Sequence, residues 1–362
     1  MTQGAYEQGC ESAPIIETEE LGKLPLFVAV NRGCDMQCWY CTEHGENRSV
    51  ERGRILGDEL DQTIAAAYES GVRTFRFTGG EPTLLNSLGE IMRTTQDLGE
   101  DVRIALTTNG TGLEKVLPTL AQLKNPSVFL SVDSYDDLRD STAGAGRKLD
   151  KWLSPHIRDL VEKTPENVDL RFNVVLTSAN QEQLPRIIDF AVEHGIDVKI
   201  FELLLRDYHY VSGRTTQEAF MSQYVSVRSL LTGFQEKYGE PIPYPGTGGR
   251  GMPMYAFQAG ESQIVFFDSN AGSHYGEVCD TCPLFPCQEG LYAMTLDSNG
   301  VLHPSGCPNP ETYINISTLP YEERPAAFTS LTNMVLGATM RPDIPDIFRQ
   351  LPIVSVQPEA TS

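Results

Sequence analysis

The chain has 362 residues and a formal charge of −21, from 49 acidic and 28 basic side chains. With 40% hydrophobic and 21% charged residues, 31 Gly and 23 Pro, it has the composition of a folded globular protein, which excludes wholesale disorder and collagen-like repeats. The length suits two domains or one large α/β domain with an appendage, and an acidic surface disfavours nucleic acid and anionic lipid as partners.

Residues 1–24 carry Glu7, Glu11, Glu17, Glu19 and Glu20 where a secretory signal would have a basic start and an apolar stretch, so they read as an acidic leader. No run approaches the roughly 18 apolar residues of a membrane span. A soluble, cytoplasmic protein without a membrane partner is expected. In that reducing compartment the eight cysteines more readily bind metal or do chemistry than form disulfides. From 25 onward, strands are expected at 26–30, 74–77, 102–106, 128–132, 170–176 and 198–203, each rich in β-branched or aromatic residues and bounded by turn formers. Helical patterns lie between them, such as Leu60, Ile64, Ala67 and Tyr68 ending at Gly71, and Ile187, Phe190 and Ala191 ending at Gly195. Repeated strand–helix units predict a parallel sheet with helices outside, either curled into a partial barrel or open and doubly wound, with sites at the carboxyl ends of the strands. A helix is then expected at 216–238, followed by a Pro/Gly-rich linker at 241–249, a cysteine-bearing part at 256–310 and a loose tail at 356–362.

Cys34, Cys38 and Cys41 form C-x3-C-x2-C directly after the first strand. Three thiolates in eight residues can hold three corners of a cubane iron–sulfur cluster and leave the fourth iron open, whereas a zinc site would need a fourth ligand such as His44. With Tyr40 as C-x3-C-x-aromatic-C, the segment resembles the radical S-adenosylmethionine (SAM) superfamily. The resemblance implies that SAM binds the open iron and is reductively cleaved to a 5′-deoxyadenosyl radical that abstracts hydrogen from substrate. It also implies an electron donor such as flavodoxin or ferredoxin. Thr78-Gly79-Gly80-Glu81-Pro82 looks like the superfamily's GGEP motif, which implies SAM contacts at Gly79, Gly80, Glu81 and Pro82.

Further motifs, Thr107-Thr108-Asn109-Gly110, Ser131-Val132-Asp133, Asn173 to Leu176 and Phe201 to Leu204, resemble MoaA-type GTP 3′,8-cyclases over residues 26 to about 310. This implies a partial (β/α)6 TIM-like barrel with a small C-terminal cysteine-cluster domain, and SAM contacts at Tyr40, Ser131 and Leu204. It implies substrate contacts at Arg76, Thr107 or Thr108, and Arg171. Alternation in Phe75-Arg76-Phe77 points Arg76 into the barrel, where it needs an anion: a substrate, or a carboxylate such as Glu202 or Asp133.

Cys279, Cys282, Cys287 and Cys307, as C-x2-C-x4-C-x19-C, suit a second 4Fe-4S cluster or a zinc ribbon; Cys10 is left over as a free thiol. Here the sequence departs from the family, which has three cysteines and adjoining arginines where this chain has four cysteines and Pro283-Leu284-Phe285-Pro286. Phe27 replaces an arginine, Leu204 a methionine and Arg171 a lysine, and the chain ends Ala360-Thr361-Ser362 where the family has Gly-Gly. The expected parts are a leader at 1–24, the barrel at 25–215, a helix and linker at 216–255, an auxiliary cluster domain at 256–318 and an extension at 319–362. The reading is a divergent two-cluster radical SAM enzyme acting on a small polar, nucleotide- or nucleoside-like anion. Its alternatives are a radical SAM peptide maturase and a non-catalytic iron–sulfur or zinc protein. Tyr208, Tyr210, Tyr255 and Tyr292 are candidate hydrogen donors, with aromatic packing as their other role.

Overall fold

A computed structural model describes residues 24–36, 38, 40–41, 57–137, 151–204, 220, 222–244, 250–282, 285, 287–307 and 309–341. Residues 1–23, Cys10, His44, Tyr208, Tyr210, the linker from 245 to 249, Pro283, Leu284, Pro286 and the tail lie outside the described residues.

All six expected strands form, as β1 (Pro25–Ala29), β2 (Thr74–Thr78), β3 (Arg103–Thr108), β4 (Ser127–Ser131), β5 (Asp169–Leu176) and β6 (Asp197–Glu202). They pair in that order and in parallel, with helices in the crossovers. These helices are α1 (Asp58–Glu69), α2 (Leu88–Gln96), α3 (Leu113–Leu120), α4 (Pro155–Lys163) and α5 (Leu184–Glu193). The side chains that alternate with the lumen residues, among them Leu26, Val28, Phe75, Phe77, Leu106, Leu130, Phe172, Val174 and Ile200, are buried in one core with the helices. That outer layer is the apolar face on which the alternation rests.

Two expectations change. The helix predicted at 216–238 is interrupted: Phe220, Ser222 and Gln223 are helical, Tyr224, Val225 and Ser226 are not, and α6 (Arg228–Tyr238) follows. The part at 256–318 is not a body apart from the barrel, since its strands extend the same sheet at both edges. On one side β7 (Ile242–Pro243), β8 (Met254–Ala259) and β9 (Ser262–Phe267) join through a parallel β6–β9 pair. On the other, β11 (Met294–Leu296) pairs in parallel with β1 and carries β12 (Val301–Pro304) and β13 (Ile314–Asn315). Unpaired edges of a parallel sheet expose backbone groups, and these additions cover them. A two-stranded ribbon, β10 (Ser273–Tyr275) with β14 (Thr339–Arg341), brackets the second cysteine group. A short helix α7 (Glu277–Asp280) opens that group, and α8 (Arg324–Leu336) packs on α1, where Arg324 donates to Thr63 Oγ1 at 2.8 Å.

Candidate active site

The loop after β1, which holds Cys34, Cys38 and Cys41, is laced to the loops after β2 and β3. Gly80 N–H donates to the Asn31 carbonyl (3.1 Å) and Glu81 N–H to the Gly33 carbonyl (2.8 Å). A Cβ on Gly79 would collide with the Asn31 carbonyl and one on Gly80 with the Gly33 carbonyl, and Gly79 has φ +136°; only glycine permits this approach. The buried Glu81 carboxylate accepts from Thr83 N (3.0 Å), Thr108 Oγ1 (2.6 Å) and Asn109 N (2.6 Å). It therefore pins the strand ends together, and Pro82 begins the short turn that follows. Asp35, which sequence reasoning missed, accepts from Asn109 Nδ2 (2.9 Å) and Thr111 Oγ1 (2.7 Å). Cys34 Sγ accepts from Met36 N–H (3.4 Å), and burial pushes its thiol up to about 11.

At the end of β4, Asp133 is a buried hub. Its carboxylate accepts from the Tyr40 hydroxyl and from Val175 N–H (2.9 Å), while its carbonyl accepts from Asn180 Nδ2 (2.6 Å). Burial raises the pKa of Asp133 and of Tyr40. Lys151 Nζ lies 5.4 Å from the Tyr40 ring centroid; burial opposes its charge, and Cys38, Asp133, Cys41 and Cys34 nearby favour it and raise its pKa. Ser131 ends β4 on the lumen side, and Leu204 lies just past β6.

Register places Phe27, Arg76, Thr107, Phe129, Arg171 and Lys199 on one face of the sheet. Arg76 lies over the Phe129 ring at 3.9 Å and donates from Nε to Thr107 Oγ1 at 2.7 Å. Neither expected counter-ion takes it: Glu202 accepts from Ser226, Val227, Ser269 and Asn270, and Asp133 from Tyr40 and Val175. Among the described residues no carboxylate forms an ion pair with Arg76. Thr107 shares its face, whereas Thr108 is turned to Glu81.

Arg171 corrects the expectation of a cation left for substrate. It pairs with Asp169 (2.8 Å) and more distantly with Asp197 (3.8 Å), since strand alternation and register bring both carboxylates to its side. Lys199, overlooked in the sequence, stands 5.0 Å from the Phe129 ring, and burial with Arg76 and Arg171 nearby lowers its pKa to about 7. Its signal was the same period-two alternation that exposed Arg76. Tyr292 stacks edge-on against Phe27, with centroids 6.4 Å apart, which joins the second cysteine part to this floor.

Cys279, Cys282, Cys287 and Cys307 line one apolar cavity with Val278, Phe285, Leu291 and Asn309. Burial raises the thiols of Cys279 and Cys307, and that of Cys287 to about 11. Among the described residues no three His, Cys, Asp or Glu side chains are gathered tightly enough to hold a single metal ion. Tetrahedral zinc with Zn–S of about 2.3 Å needs sulfurs about 3.8 Å apart. Four thiols around one cavity are the donor set of either a 4Fe-4S cluster or a structural zinc ion.

The family model described as the radical SAM superfamily matches residues 28–208, from β1 to beyond β6. The chain belongs to this superfamily. A probable GTP 3′,8-cyclase of Sulfurisphaera tokodaii is 31% identical over 207 residues, 57% of this chain and 63% of that protein. The stretch matched therefore spans less than two thirds of that relative's length. Among solved structures, native anSMEcpe with bound AdoMet has a TM-score of 0.52 at 15% identity, over 87% of this chain and 82% of that one. Streptococcus suis SuiB bound to precursor peptide SuiA has a TM-score of 0.51 at 17% identity, over 79% and 59%. These two likenesses show a shared radical SAM fold. No helix among the described residues is long and apolar enough to cross a membrane.

Proposed function

We propose that this chain is a radical SAM enzyme acting on a small anionic, nucleotide- or nucleoside-like metabolite. The observation that carries the substrate class is Arg76, a half-buried cation without a carboxylate partner among the described residues, next to Lys199 on the lumen floor. Two cations in a low-dielectric pocket are stabilised by a bound anion. Relatives named as GTP 3′,8-cyclases support a nucleotide, while Phe27, Leu204 and the fourth cysteine of the second group support a reaction other than that cyclisation.

Cys34, Cys38 and Cys41 would hold the first cluster, with Tyr40, Gly79 to Pro82, Ser131 and Leu204 around SAM. When bound, that cluster and SAM supply one-electron cleavage and a hydrogen-abstracting radical. The chain's own part is positional: Glu81 and Asp35 fix the three loops, and Arg76 with Thr107 orients the substrate. Cys279, Cys282, Cys287 and Cys307 would hold a second 4Fe-4S cluster in the 256–318 part. With four cysteine ligands it leaves no iron for substrate and serves electron transfer or structure.

The test is binding of GTP, GDP and guanosine to anaerobically reconstituted protein, with Arg76→Ala alongside. Phosphorylated ligands should bind at least tenfold more tightly than guanosine, and the substitution should remove that preference while SAM cleavage without substrate persists. Equal binding of all three, or an Arg76→Ala variant that discriminates as before, would overturn the substrate class.

A further inference from the structure

Lys151 lies outside every motif that the sequence singled out. Its backbone carbonyl accepts from Asp133 N (2.7 Å) and Ser134 N (3.1 Å), which fixes the residue across the end of β4. Its side chain runs over the Tyr40 ring, with Nζ 5.4 Å from the centroid, toward the loop of Cys34, Cys38 and Cys41. Asp133 is the carboxylate at hand, yet its oxygens are engaged by Tyr40 and Val175, and among the described residues Lys151 forms no ion pair. A lysine held in this way lies within electrostatic reach of Asp133 and of the three cysteines.

We propose that Lys151 is a positioning residue for charge, which stabilises the reduced state of the cluster on Cys34, Cys38 and Cys41. The proposal rests on the reading of those cysteines as cluster ligands. A 4Fe-4S core of charge 2+ with three thiolates is a net monoanion, and one electron from a low-potential donor makes it a dianion without breaking a bond. A cation fixed beside the Tyr40 ring of this loop favours the dianion, since net local charge and burial set cluster potentials.

The experiment is a potentiometric titration, followed by electron paramagnetic resonance, of the anaerobically reconstituted full chain with Lys151→Met, Lys151→Gln and Lys151→Arg. The neutral variants should need a lower potential, with the reduction equilibrium about tenfold less favourable, or about 59 mV for one electron, and Lys151→Arg should stay near wild type. Neutral variants that lose the oxidised cluster while Lys151→Arg keeps it would overturn the proposal, since the charge would then hold the cluster rather than favour its reduction. Unchanged midpoints in the neutral variants, or a Lys151→Arg variant as impaired as they are, would overturn it. Wild-type protein that takes up no iron and sulfide would instead refute the ligand reading beneath it.

Discussion

Lys199 gives a sharp test of the lumen. Burial, with Arg76 and Arg171 as like-charged neighbours, lowers its pKa from 10.5 to about 7. The folded lysine thus gives up its proton about 3.5 pH units before the unfolded one. Below pH 7 both states are protonated, and the folded state bears the full penalty of the buried charge. Between pH 7 and 10.5 the unfolded chain binds the extra proton, so this group's contribution to stability becomes less unfavourable as pH rises. At 1.36 kcal/mol per unit, the penalty is about 5 kcal/mol at pH 6 and about 2 kcal/mol at pH 9. Lys199→Met removes the titration and keeps the aliphatic length. Urea unfolding of wild type and variant at the two pH values should show the variant's relative stability falling by about 3 kcal/mol from pH 6 to pH 9. A difference that is the same at both pH values would refute a lumen cation strained by its neighbours, and with it the argument that an anion is wanted there.

Iron and sulfide analysis after anaerobic reconstitution should give about eight iron atoms per chain, the sum of two cubane clusters; two zinc ions and no sulfide would refute both cluster assignments. Asp35→Ala removes the acceptor that Asn109 and Thr111 share, so the first cluster should be lost faster on dilution into chelator, while Asp35→Asn retains part of the hold. Glu81→Ala leaves the buried N–H groups of Thr83 and Asn109 without their acceptor. It should lower stability by about 3 kcal/mol or more, read as a lower thermal midpoint, and unchanged melting would show that the carboxylate does not pin the loops.

Much was legible in the chain itself. Six strands and their intervening helices follow from period-two and period-3.6 patterns, because each strand turns one face to the helices and the other to the lumen. The first cysteines could be read because one short loop supplies all three, so their spacing is their geometry. Gly79 and Gly80 belong to the same class, since the lack of a Cβ there is a local requirement of the loop that passes beneath them.

What only the tertiary structure decided depends on which residues meet across strands. Arg76 and Arg171 look alike in sequence, yet register gives Arg171 the carboxylates of Asp169 and Asp197 and leaves Arg76 with Thr107 and an aromatic face. Lys199 carries no motif, and its depressed pKa arises from burial and then from two cations on other strands. Asp35, Asp133 and Lys151 act on partners that lie tens of residues away. The cysteine part from 256 onward reads as a separate domain because its composition changes, while its strands close both edges of the barrel sheet through pairings between residues more than 60 positions apart. Such contacts are set by how a parallel sheet must cover its edges, which no local pattern in the sequence encodes.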